Sequence, residues 1–154
     1  MASVDPVLRD MFFILIPILS LAANPLMGPS MARMSGWAKL AEAYSTSREC
    51  AGFKLQGRRG QFGKWMGYKG ILTLGVDSEG FYLSVIWLFK SGHPPLFFPW
   101  KDIQAREERM WMRDWVVLEF AQVPGVTFAL HKGDVLKLNE KGGSFPAFSP
   151  FKGV

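Results

Sequence analysis

The sequence holds one cysteine, Cys50, among 154 residues, so no disulfide can form within the chain and its core must hold by packing. That usage suits a reducing compartment. Histidine is almost as scarce. His93 and His131 stand far from each other and from Cys50, and no metal-ligand spacing results. No Gly-x-Ser-x-Gly elbow occurs, and the glycines from Gly57 to Gly63 lack the strand–loop–helix setting of a phosphate-cradling loop. Glu107 and Glu108 are adjacent in a strand pattern, which turns their carboxylates to opposite faces. No catalytic residue, metal or cofactor is therefore expected, and the chain does not read as an enzyme.

Two further absences concern charge. No charged residue occurs from 11 to 32, and no acidic residue from 50 to 76. The first gap opens with an intensely apolar stretch, 11–23, and continues through Asn24, Pro25, Gly28, Pro29 and Ser30. A spanning helix takes about 20 apolar residues, so a crossing needs the whole gap. The apolar stretch also has the length of a signal-peptide core, with small residues at Ser20 and Ala22. Its leader carries Arg9 against Asp5 and Asp10, however, where a signal peptide wants net positive charge. A buried helix is the third reading. The expectation taken forward is a single-pass anchor, residues 1–32, holding the protein in a membrane through residues 11–32. Arg33 and Lys39 downstream outnumber Arg9 upstream, which favours a cytoplasmic position for the domain that follows.

About 120 residues remain, enough for one domain with a real core. Hydrophobic residues make up 49% and aromatics 14%, which excludes a disordered chain and suits pleated surfaces. Residues 35–44 read as a short helix capped by Ser35, packing Trp37, Leu40, Ala41 and Tyr44 on the body. Gly57 to Gly63 reads as a turn region. Strand patterns occupy 51–56, 68–76, 81–89, 96–100, 103–110, 115–122 and 126–130, with 68–76 and 81–89 forming a hairpin. Pro99 marks 96–100 as an edge strand. Residues 111–114 read as a turn and 134–141 as a short helix. The organisation is thus a 1–32 anchor, a 33–50 short amphipathic helix and linker, a 51–141 β domain and a 142–154 extended tail. The fold class is mainly β with short helices, an antiparallel sandwich or partly open barrel.

Three blocks carry a resemblance: Ile71-Leu72-Thr73-Leu74-Gly75-Val76, Gly80-Phe81-Tyr82-Leu83 and Pro99-Trp100-Lys101-Asp102-Ile103, followed by a short helix. Together they resemble a PH-like domain of the GRAM type. Ser-Gly-Trp-x-x-Leu-Ala-x-x-Tyr at 35–44 and Gly-His-Pro-Pro-Leu-Phe-x-Pro-Trp at 92–100 also resemble a family of short uncharacterised bacterial proteins with an N-terminal hydrophobic segment. The resemblance implies a PH-like antiparallel, partly open β-barrel preceded by an N-terminal membrane helix. It also implies that the loop joining the first two strands faces lipid headgroups.

The net charge is +5, and Lys54, Arg58, Arg59, Lys64 and Lys69 account for it, because the rest of the chain balances. These five are expected in or beside that loop, as a site for anionic lipid headgroups or a protein partner. Each cation near an anionic leaflet contributes about 1 kcal/mol. Phe62, Trp65 and Tyr68 interleave them and can enter the interface. A nucleic-acid partner is not expected. His93, fixed by Pro94 and Pro95, is either a ligand-loop residue or a histidine bonded to backbone; His131 reads as a surface residue. Trp111 and Trp115 are candidates for a groove and are assigned to the core. The expected function is a membrane-anchored interaction module. The alternative is a secreted or periplasmic β-barrel carrier of a small ligand, with a cleaved signal peptide.

Overall fold

A computed structural model describes residues 6–146, and within the first helix the side chains of 8–9, 12–13 and 17–26 lie outside that description. The first helix, α1 (Pro6–Ser35), has 30 residues, a length of about 45 Å at 1.5 Å per residue. It begins on a proline, whose missing N–H is harmless in a first turn. It runs past the expected boundary at 32. Gly36 stops it by adopting φ +95, a left-handed conformation that glycine enters without penalty. A second helix, α2 (Trp37–Tyr44), follows at once, and Ser35 Oγ accepts a hydrogen bond from the Trp37 amide at 3.2 Å. Among the described residues no helix is long and apolar enough to cross a membrane. Much of the apolar stretch expected as an anchor falls on side chains outside the description.

Seven strands follow: β1 (Phe53–Phe62), β2 (Met66–Val76), β3 (Gly80–Val85), β4 (Leu96–Pro99), β5 (Ile103–Met110), β6 (Arg113–Phe120) and β7 (Thr127–His131). They form one antiparallel sheet in the order β4-β3-β2-β1-β7-β6-β5. A last helix, α3 (Lys132–Glu140), packs against β6, β7 and β1. This seven-stranded curled half-barrel with a C-terminal helix is consistent with a PH-like fold.

β1 is the hinge of the curl. Its register shifts between Leu55 and Arg58 and again between Arg58 and Gly60, so the strand bends where it passes from β2 to β7. Gly60 sits where a Cβ would lie 2.5 Å from the Phe128 ring, so no larger residue fits the bend. The glycines read as a turn region therefore belong to a bulged strand. The actual turn is only Gly63 to Trp65.

The concave face is filled. Leu55, Phe62, Tyr68, Leu72, Leu74, Phe81, Leu83, Phe98, Val116, Leu118, Phe120 and Phe128 form one cluster with Trp37, Leu40 and Tyr44 of α2 and Val135 and Leu138 of α3. The α2 face thus packs on the body as expected. Phe98 of β4 stacks on Phe120 of β6 at 4.1 Å, joining the two ends of the sheet across the interior.

Three further expectations are corrected. The strand expected to reach Phe89 ends at Val85, and Trp87 and Phe89 lie exposed on a 3-10 turn instead of facing the core. The turn expected at 111–114 is only Trp111 and Met112, because Met110 already pairs with Arg113. The tail does not start extended. Gly143 donates its amide to the Leu138 carbonyl, and Phe145 docks against Phe81 and Trp100. Residues 147–154 of that tail lie outside the described residues.

Candidate functional site

The five cations read as one patch are distributed over three places. Lys54 lies at the start of β1 in a cavity of about 230 Å3 beside Arg48, Cys50 and Tyr82. Burial and the adjacent Asp77 carboxylate push the Tyr82 hydroxyl up to about 12. Lys64 and Trp65 form the β1–β2 turn. Arg58, Arg59 and Lys69 belong to strands, not to a loop.

The β1–β2 turn meets the helical end of the molecule. A groove of about 400 Å3 is lined by Arg33, Met34 and Lys39 from the α1–α2 junction, by Lys64 and Trp65, and by Val126 before β7. Trp65 is 90% exposed, and Met34 is exposed beside it. The 3-10 turn carrying exposed Trp87 and Phe89 packs against α1 from another side. Three cations and Trp65 therefore border the end of α1, and a turn with two exposed aromatic residues contacts the same helix.

That joint is held by a buried polar chain. His93 is 3% exposed. Its Nδ1 lies 3.0 Å from the Ser91 carbonyl, which can only accept, so Nδ1 carries the hydrogen and donates. The neutral ring then accepts the Tyr68 hydroxyl hydrogen on Nε2, across 2.8 Å. Ser35 Oγ, 3.0 Å from Tyr68 Oη and 3.3 Å from the Ala32 carbonyl, continues the chain into the last turn of α1. Trp37 donates its indole N–H to the Pro94 carbonyl at 2.9 Å. Burial pushes the His93 pKa down, partly countered by the Ser91 hydrogen bond. His93 is thus buried and bonded to backbone and to Tyr68.

The third place is the convex face of the sheet. Lys69 on β2, Arg59 on β1, His131 on β7 and Trp115 on β6 form a row across four neighbouring strands. His131 pairs directly with Trp115, and their rings stack at 4.1 Å and 27°. With Trp111 and Arg113 they line a groove of about 300 Å3. Arg58 is turned aside to Asp134 at 3.4 Å. Among the described residues no acid lies within ion-pair distance of Arg59, Lys69 or Arg113. Burial lowers the His131 pKa; Asp134 opposes this, and Arg113 and Arg59 reinforce it.

His131 and Arg113 were not legible as site residues. The sequence places His131 at the surface, yet it is half-buried, with its ring stacked on Trp115. Trp111, expected in the core, is 77% exposed at its turn. Only the register of β7 against β1 and β6 brings these residues together, and no local pattern encodes that pairing.

No family model matches the chain, no curated protein matches it, and no solved structure matches it.

Proposed function

We propose that the protein is a membrane-anchored, PH-like interaction module, with α1 as its single anchor and the β domain held at the cytoplasmic face. The observation that carries this reading is the setting of α1. Val7, Met11, Ile14, Ile16 and Met27 are exposed along it; Arg33, Lys39, Lys64 and Trp65 line a groove at its end, and the turn carrying exposed Trp87 and Phe89 contacts it. Tryptophan at headgroup depth and cations beside an anionic leaflet are the ordinary companions of a helix entering a bilayer. The rival reading, a small-ligand carrier, needs a hollow interior. Phe62, Phe81, Phe98, Phe120 and Phe128 occupy that space here.

Depth-dependent quenching tests the orientation. The full chain is reconstituted into phosphatidylcholine–phosphatidylserine vesicles containing brominated lipid. Strong quenching of tryptophan emission is expected, most of it lost in the Trp65→Phe, Trp87→Phe double variant. Quenching that the double variant leaves unchanged removes the proposed orientation.

A further inference from the structure

We propose that the convex-face groove of Arg59, Lys69, Arg113, His131, Trp111 and Trp115 binds a small aromatic anion, a planar ring carrying a phosphate or carboxylate group. This inference is independent of the membrane reading.

Two observations carry it. The first is electrostatic. Arg59, Lys69 and Arg113 come from three different strands onto one groove, and none has an acid partner among the described residues. On the same sheet Arg58 pairs with Asp134 and Arg106 with Glu119, while Lys54 and Arg109 stand singly and away from this groove. Like charges held together without counter-charge favour an anion. Two of the three are arginines, whose planar fork matches phosphate and carboxylate oxygens.

The second observation is conformational. Trp111 and Met112 are the two central residues of the β5–β6 turn, and both have positive φ, 53 and 60. Such a turn normally takes Asn-Gly or Asp-Gly, because a Cβ in this region meets the following carbonyl oxygen. Here the chain places a tryptophan there, at the rim of the groove, with its indole 77% exposed. Neither core packing nor turn formation accounts for that residue. An indole presented at a strained position beside three unpaired cations is a stacking surface for a ring whose anionic group those cations hold.

This groove adjoins the α1 junction at the β1–β2 hairpin, where Gln61 and Gly67 neighbour Phe62 and Met66, and extends away from it to Trp111. Trp111 stands at the start of β6, whereas the β6–β7 turn that borders Trp65 stands at its end. The proposed ligand is a soluble molecule, and the vesicle arm of the test distinguishes it from a bilayer headgroup.

The test uses the full chain in detergent, titrated by calorimetry with 1-naphthyl phosphate, inorganic phosphate and 1-naphthol. Naphthyl phosphate is expected to bind at least about tenfold more tightly than either control, since ring and anion each contribute. Arg59→Gln with Arg113→Gln is expected to lower its affinity about tenfold or more and to flatten its salt dependence. Trp111→Asn is the decisive variant. Asparagine suits the turn, so the protein should melt no lower than the parent while naphthyl phosphate binding falls about tenfold. Unchanged binding in Trp111→Asn overturns the proposal. So does equal affinity for naphthyl phosphate and inorganic phosphate, or binding only to phosphatidylserine vesicles.

Discussion

His93 shows how one buried residue ties three segments. Its ring bridges the Ser91 carbonyl and the Tyr68 hydroxyl, and Tyr68 in turn meets Ser35 at the end of α1. A histidine held neutral in the fold binds fewer protons than the unfolded chain does near and below the ordinary pKa of about 6.5. Stability therefore rises with pH through that window and is lost as pH falls below it. His131 shifts in the same direction and adds to the effect. Urea midpoints are expected to fall between pH 7 and pH 5, and to fall less in a His93→Gln, His131→Gln double variant. An identical pH slope in the double variant would remove the assignment. Part of this was legible: a loop histidine locked by two prolines has a fixed position, and bonding to backbone was one of its two expected roles. Its partner Tyr68 was not, because sequence distance hides a contact made across the fold.

At the scale of elements, the joint between α1 and the body rests on two glycines. A Cβ on Gly92 would lie 2.6 Å from Pro29 Cα, and Gly28 sits as tightly against the Ser91 carbonyl. Gly92 also takes φ +72. Gly92→Ala therefore combines backbone strain with overpacking and is expected to cost about 2–4 kcal/mol. Hydrogen exchange should rise at 28–35 and 91–96 more than in β6 and β7, and uniform protection would contradict this joint. The strands show what alternation can and cannot reveal. Phe81/Leu83 and Val116/Leu118 lie in the core, yet the residues between them, Tyr82 and Val117, are buried as well, so β3 and β6 do not show a simple in–out alternation. β1 was half missed, because the glycines that let it bend under Phe128 resemble the glycines that end a strand. The 3-10 turn at Trp87–Phe89 was missed because its aromatic residues continue a strand pattern.

At the scale of the whole molecule, the sheet separates two surfaces. One surrounds the α1 junction and carries Trp65, Lys64 and Arg33; the other is the convex groove of Arg59, Lys69 and Arg113. The charge excess between 50 and 76 was legible in the sequence, but its division between these surfaces was not, since strand pairing decides which cation faces which way. The half-barrel was legible from strand count and spacing. The proposed role follows from the first surface and from the uncharged stretch at 11–32. Its most direct test is to fractionate cells expressing the full chain, wash the membranes with high salt and then carbonate, and weigh the retained protein by intact mass. The account predicts full-length protein, retaining Met1 or Ala2, in the washed membrane. A shortened soluble product, or a full-length one released by carbonate, would contradict it.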